Sequence, residues 1–310
     1  MDKTSTWSLA IHGGSGTMTR ASIGEGLAFR AGLDAALVAG AAILADGGSA
    51  LDAVEAAVCR LEDDPQFNAG RGAVFTAEGR NELDAAIMDG SARIAGAVAG
   101  LTRTKNPIGA ARAVMEGSPH ILLARDGADI FALEQGLEQV EPAYFRTEER
   151  WQALQSMKAA AARGEPLFDK NLKYGTVGAV ARDSAGKLAA ATSTGGLTGK
   201  RWGRIGDSPL VGAGTWADGA VAISATGSGE DFIRIGAAHE ISARVRFLGE
   251  TPQAAASTIV AELKALGGDG GLIFAGHDGS VGWAFNTPGM YRACTAASQK
   301  PVVAIFDDEG

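Results

Sequence analysis

The chain has 310 residues, 46% of them hydrophobic and 21% charged, with a formal net charge of −8. That length and apolar content suffice for a large buried core in one domain or two, and the 44 glycines follow no three-residue period, which excludes a collagen-like chain. The acidic balance excludes a basic nucleic-acid or anionic-membrane surface. The apolar stretches near 33–45 and 51–61 are interrupted by charge or glycine, so no membrane-spanning segment is expected.

Trp7–His12 reads as a short strand stopping at Gly13-Gly14. Residues 24–46 carry Leu27, Leu33, Leu37, Ile43 and Leu44 among alanines, which predicts a long helix ended by Gly47-Gly48. Ser49 has the character of an N-cap, with Leu51, Val54, Val58 and Leu61 at helical spacing behind it. A loop of turn formers follows from Asp63 to Gly72. Strands at 83–88 and 94–101 are joined by Asp89-Gly90-Ser91, a hairpin signal. Helices are predicted over 106–116, 126–136 and 147–163, then an aperiodic connector over 164–175. Beyond it, strands at 177–182 and 188–193 flank the turn Asp183-Ser184-Ala185-Gly186. A strand at 221–225 leads into Thr226-Gly227-Ser228-Gly229. One helix carries Ile235, Ala238, Ile241, Val245 and Leu248, and a second spans about 252–265. Strands near 272–275, 281–284, 290–294 and 302–306 close the chain. Strands at the ends of each half with paired helices between them favour a layered α+β arrangement.

Chemistry is first narrowed by exclusion. The four histidines are scattered, and no H-E-x-x-H or C-x-x-C pattern points to zinc. No G-x-S-x-G elbow precedes a helix, and Thr226-Gly227-Ser228-Gly229 lacks a P-loop lysine. Cys59 and Cys294 read as unpaired, Cys59 as core. What remains is a set of threonines and glycines in polar loops. A threonine hydroxyl needs a neighbouring base, and an N-terminal threonine supplies one in its own α-amine, which titrates at about 7.7–8.0.

The segments Tyr174-Gly175-Thr176-Val177-Gly178-Ala179-Val180, Thr192-Ser193-Thr194-Gly195-Gly196, Gly203-Arg204-Ile205-Gly206-Asp207-Ser208-Pro209 and Thr226-Gly227-Ser228-Gly229 together resemble the plant-type L-asparaginase/isoaspartyl peptidase family of N-terminal nucleophile hydrolases. The resemblance extends to Ile11-His12-Gly13-Gly14 and to the block from Asp52 through Pro119, nearly the whole chain. It implies a four-layer αββα sandwich spanning 1–310 as a single precursor domain. Cleavage between Gly175 and Thr176 would give an α subunit, 1–175, and a β subunit, 176–310. It implies Thr176 as nucleophile, with Thr194 hydrogen-bonding it, and Thr226 with Gly227 as the oxyanion hole. Arg204 would grip a substrate α-carboxylate, Asp207 and Gly229 its α-ammonium, and Asn68 would help place the nucleophile. No cofactor is implied for catalysis. A structural sodium ion would be held by backbone carbonyls of Leu61, Glu62, Asp64, Phe67, Ala69 and Arg71. The implied substrates are L-asparagine and β-aspartyl dipeptides, and the implied assembly is a dimer of αβ units.

Plainer readings stand beside these. Thr176 alone is an ordinary strand threonine. Arg204 and Asp207 could form a surface ion pair, Thr226-Gly227 could cap a helix, and Gly13-Gly14 and Gly195-Gly196 read as structural turns. His12 reads as a satisfied structural histidine. Rival functions are a glycosylasparaginase, a binding protein on the same fold that never matures, and a phosphate-binding enzyme. The N-terminus shows no charged segment followed by an apolar core, so a cytoplasmic location is expected and counts against the first rival.

Overall fold

The computed structural model describes residues 7–164 and 175–309. Of the connector expected over 164–175, only its two end residues therefore lie within the description.

Up to Gly164 the elements are β1 (Ser8–Gly16), α1 (Arg20–Ile23), α2 (Leu27–Ala45), α3 (Ala50–Asp63), β2 (Leu83–Asp89), β3 (Ile94–Leu101), α4 (Pro107–Gly117), β4 (Leu122–Ala124), α5 (Arg125–Glu134) and α6 (Glu148–Ala162). From Gly175 they are β5 (Val177–Arg182), β6 (Leu188–Thr194), β7 (Thr215–Ala217), β8 (Val221–Gly227), α7 (Gly229–Ile235), α8 (Ala237–Ala243), α9 (Pro252–Ala265), β9 (Gly270–Gly276), β10 (Val281–Phe285), β11 (Gly289–Ala296) and β12 (Val302–Phe306). An eight-stranded sheet runs β12-β11-β1-β5-β6-β2-β3-β4, and a four-stranded sheet runs β10-β9-β8-β7.

Alternation of side chains along each strand builds the layers. In β1, Leu9 and Ile11 join α2, α3 and α4 residues such as Leu33, Leu37, Val54 and Ile108 in an outer core. Ala10 between them points the other way, with Val180, Leu188 and Ala190, onto Ala222, Ile273 and Ala275 of the small sheet. The opposite faces of β8 and β9 (Ile223, Leu272 and Phe274) pack on Ile241 of α8 and on Ile259 and Leu263 of α9. The order is helix, sheet, sheet, helix, an αββα sandwich of the α+β class. Local capping fixes where the helices begin. Ser49 Oγ accepts the Asp52 N–H at 3.1 Å, and Thr251 Oγ1 accepts that of Ala254 at 3.2 Å, with Pro252 at the first helical position.

Three expectations are corrected. β1 does not stop at Gly13-Gly14 but runs on to Gly16, because a bulge between His12 and Gly14 absorbs the irregularity without ending the pairing with β11. The helix expected through Leu248 is broken into α7 and α8 by Gly236, whose φ of 56° is left-handed, and α8 passes into a wider π-type turn over Arg244–Leu248. Finally, α2 is long and apolar enough, by length and composition alone, to cross a membrane. In the fold, α2 lays Leu33, Ala36, Leu37, Gly40 and Leu44 into the outer core.

Candidate active site

Thr176 directly precedes β5, in the middle of the large sheet between β1 and β6. Antiparallel pairing brings the far ends of β1 and β6 to the same edge, and β8 ends beside them. Ser15, Thr194 and Thr226 therefore meet around Thr176. Thr176 Oγ1 donates to Thr194 Oγ1 at 3.1 Å and lies 3.4 Å from Ser208 Oγ. Thr194 Oγ1 also accepts the Gly196 N–H at 3.0 Å, which locks its orientation. Ser15 Oγ donates to the Thr226 carbonyl at 3.2 Å, tying β1 to β8.

Thr226 is fully buried, and its hydroxyl has no hydrogen-bond partner among the described residues. Such a group costs about 1–3 kcal/mol and calls for an explanation, such as a partner that arrives with the substrate. Gly227 lines the same small cavity (≈ 20 Å³) as Thr176, Thr194, Arg204, Asp207 and Ser208. Gly175 lines it too, and the volume is about that of one water molecule. Gly175 lies against Gly14: a methyl added to Gly14, whose φ is 113°, would sit 2.3 Å from the Gly175 Cα. The residue expected to make a plain turn is thus the seat of the segment expected to be cut.

Arg204, Asp207 and Gly229 come together beside this cavity. A methyl on Gly229 would lie 2.8 Å from both Arg204 Nη2 and Asp207 Oδ1. The surface-ion-pair reading fails, because Asp207 is buried and Arg204 is gripped instead by Glu230 through two 2.9 Å hydrogen bonds. Burial pushes the Asp207 carboxyl up to about 7, against the pull of the Arg204 charge, and its Oδ2 has no hydrogen-bond partner among the described residues. A buried carboxylate next to a guanidinium, both facing a cavity, suits a small zwitterion.

Asn68 acts one step back. Its Nδ2 donates to the Gly196 carbonyl at 2.8 Å and its Oδ1 accepts the Val74 N–H at 2.9 Å, so it fixes the turn after Thr194. Lys200 lies under the same turn, its amine donating to the Glu82 carbonyl at 2.9 Å. His12 is buried beside the site: its Nε2 lies 2.9 Å from Ser224 Oγ, its Nδ1 is unpaired among the described residues, and burial lowers its pKa to about 3 against the raising effect of the Thr176 backbone. Ser224 continues through Thr192 (2.7 Å) to Thr215 (2.6 Å), which donates to the Ser208 carbonyl at 3.0 Å. Sequence reasoning passed over Ser15, Ser208 and Glu230. The last two directly adjoin motif residues already chosen, which was the signal available.

The Leu61–Arg71 loop folds back on the end of α3. A methyl on Gly70 would meet the Glu62 carbonyl oxygen at 2.4 Å, and the Asp64 and Ala69 carbonyls each accept one N–H, from Phe67 and Gly72. Leu61 and Glu62 belong to the last turn of α3, whose carbonyls carry the negative end of the helix dipole, an environment that favours a hard cation. Among the described residues no cluster of His, Cys, Asp and Glu is arranged to hold a metal ion.

The sequence profile of a family described as Asparaginase matches residues 5–305. This chain belongs to that family. It is 49% identical to an isoaspartyl peptidase of Escherichia coli K12 over 311 residues, covering 97% of each chain. It is 48% identical to one from Salmonella typhimurium, covering 96% of this chain and 98% of the other. A protein of Arabidopsis thaliana described as probable isoaspartyl peptidase/L-asparaginase 2 is 39% identical, covering 97% of this chain and 99% of its own.

Proposed function

We propose that this chain is an autoprocessing amidohydrolase that cleaves β-aspartyl dipeptides and L-asparagine, with Thr176 as its nucleophile. The observation that carries the reading is the meeting of Thr176, Thr194, Arg204, Asp207 and Gly227 around one small cavity that Gly175 also lines, with the buried Thr226 hydroxyl next to Gly227 and Gly229 against Arg204 and Asp207.

In the intact chain Thr176 Oγ1 attacks the Gly175 carbonyl carbon, the C–N bond breaks, and the acyl group moves from nitrogen to oxygen. Water then cleaves the ester, leaving a carboxylate on Gly175 and a free amine on Thr176. The products are an α subunit, 1–175, and a β subunit, 176–310. In turnover the Thr176 amine takes the proton from its own Oγ1, and the oxygen attacks the substrate's β-carbonyl carbon. Thr226 Oγ1 and the Gly227 N–H receive the developing oxyanion. The amine's proton passes to the leaving nitrogen, and ammonia or an amino acid departs. Water hydrolyses the β-aspartyl ester and restores Thr176. Arg204 holds the substrate α-carboxylate, Asp207 and the Gly229 carbonyl hold its ammonium, and Thr194 orients the nucleophile. Asn68 keeps the adjoining turn in place.

The same reading includes a sodium ion on the carbonyls of Leu61, Glu62, Asp64, Phe67, Ala69 and Arg71, which would stiffen the loop bearing Asn68 and take no part in the reaction. It includes a dimer of αβ units, measurable by light scattering. It also includes a cytoplasmic location, in keeping with the free thiols of Cys59 and Cys294. The central test is to incubate the purified protein, separate it on a denaturing gel and sequence the N-terminus of the smaller fragment. A Thr176 terminus is expected, and Thr176→Ala should abolish both cleavage and hydrolysis. An indefinitely intact wild-type chain, or a different new terminus, would overturn the proposal and favour the non-maturing binding protein.

A further inference from the structure

The bulge in β1 decides which face Ser15 presents. Before it, Leu9 and Ile11 lie in the outer core, while Ala10 and His12 face the small sheet, His12 reaching Ser224 of β8. Gly13 still faces outward, where an added methyl would meet Phe67. Unbroken alternation would carry Ser15 outward as well. The register slips between His12 and Gly14, and the extra residue turns the strand over by one face. Ser15 therefore points inward, and its Oγ donates to the Thr226 carbonyl on β8 at 3.2 Å. It is buried and lines the cavity at Thr176.

The Thr226 carbonyl and the Gly227 N–H belong to one peptide unit, and the β8–β9 ladder fixes how that unit is turned. The Ser228 N–H donates to the Asp269 carbonyl at 2.8 Å, in the register that pairs Thr226 with Gly271. Bonding alternates along an antiparallel ladder, so the Thr226 carbonyl turns towards β9 and the Gly227 N–H turns away. That is the side on which the Ala225 N–H reaches the Gly214 carbonyl at 2.9 Å, and there Gly227 lines the cavity. Ser15 thus bonds the rear of a group whose front faces the cavity. A donor on the carbonyl draws electron density through the peptide resonance, polarises the N–H and holds the plane still.

We infer that Ser15 is a positioning residue for the oxyanion hole: its hydroxyl orients and polarises the Thr226–Gly227 peptide so that the Gly227 N–H binds the developing negative charge more strongly. The inference rests on the reading that this N–H is an oxyanion donor. One such donor is worth roughly 10²- to 10³-fold in kcat, and a bond behind it strengthens it by about 10–30%, which corresponds to about two- to eightfold.

The test is Ser15→Ala, measured in two ways. In the matured enzyme, kcat for L-asparagine per cleaved chain should fall about two- to eightfold with KM within about twofold, because the oxyanion forms only in the transition state. About the same factor should appear in a Thr226→Val background, since Ser15 acts on the peptide and not on the hydroxyl. In the uncut Thr176→Ala chain, isotope-labelled at its glycine nitrogens, the NMR signal of the Gly227 amide nitrogen should move upfield. Ser15→Cys keeps a weaker donor, should fall between wild type and alanine in both measurements, and serves if Ser15→Ala does not fold. A change in KM alone, a factor that vanishes in the Thr226→Val background, or a Gly227 signal that stays in place would overturn the inference. A shifted signal with unchanged kcat would overturn the parent reading of Gly227 along with it, as would a wild-type chain that is never cut.

Discussion

Replacing Thr226 with valine separates a catalytic from a structural hydroxyl, because the two roles predict opposite changes in stability. The side chain is fully buried and Oγ1 has no partner among the described residues. The backbone interactions do not involve the hydroxyl: the carbonyl accepts from Ser15 Oγ, and Thr226 pairs with Gly271 across β8 and β9. Thr226→Val keeps the shape and removes an unsatisfied polar atom, whose burial costs about 1–3 kcal/mol. The variant should therefore be more stable than the wild type by up to that amount, seen as a higher urea midpoint at unchanged m-value. If the hydroxyl donates to the oxyanion, kcat should fall roughly 10²- to 10³-fold, or about 2.7–4 kcal/mol of transition-state stabilisation. Both measurements need normalising to the fraction of chains with a free Thr176 amine, since the substitution also bears on cleavage. A lower midpoint, or a kcat within about threefold of wild type, would refute the assignment.

Three further predictions concern charge. Asp207 must be ionised to hold an ammonium, and burial raises its pKa to about 7, so KM for asparagine should fall as pH rises from 5.5 to 8, a trend that Asp207→Asn should flatten. With its folded pKa above the ordinary carboxylate value, Asp207 favours the folded state at low pH and loses that contribution as pH rises through about 7. For His12 the sign reverses: its pKa is lowered from 6.5 to about 3, so its contribution is complete above 6.5 and lost as pH falls towards 3. The wild-type urea midpoint should drop more steeply than that of His12→Gln over that range. Glu230→Gln removes one arm of a partly exposed clamp on Arg204 and should raise KM several-fold with kcat within about twofold, while Arg204→Ala should raise KM by 100-fold or more, as read from initial rates.

Elements set by local chemistry were legible in the sequence. The Ser49 cap and the Asp89-Gly90-Ser91 hairpin carry their signals within a few residues. β4 and β7, of three residues each, were not legible, because such strands exist only through their neighbours. Gly13-Gly14 has the composition of a turn, and only the pairing with β11 keeps it extended. At the site, Thr176, Thr194, Arg204, Asp207 and Thr226 could be chosen as an ordered set of motifs, although each alone reads as ordinary. Glu230 was hidden because its partner lies 26 residues away.

The strand order of the large sheet bears on what a cut at Gly175 would do to the molecule. One fragment would own β1 to β4 and the other β5 to β12, and the ladders β11–β1, β1–β5 and β6–β2 would each join the two. Unfolding would then release two polypeptides, so the midpoint of the matured enzyme should fall on dilution while that of an uncut Thr176→Ala chain should not. Refolding would become a second-order encounter that has lost the high effective concentration supplied by the tether. The peptide bond would serve as a scaffold used once: needed to assemble the sheet, dispensable afterwards, and beyond recovery once the fragments part.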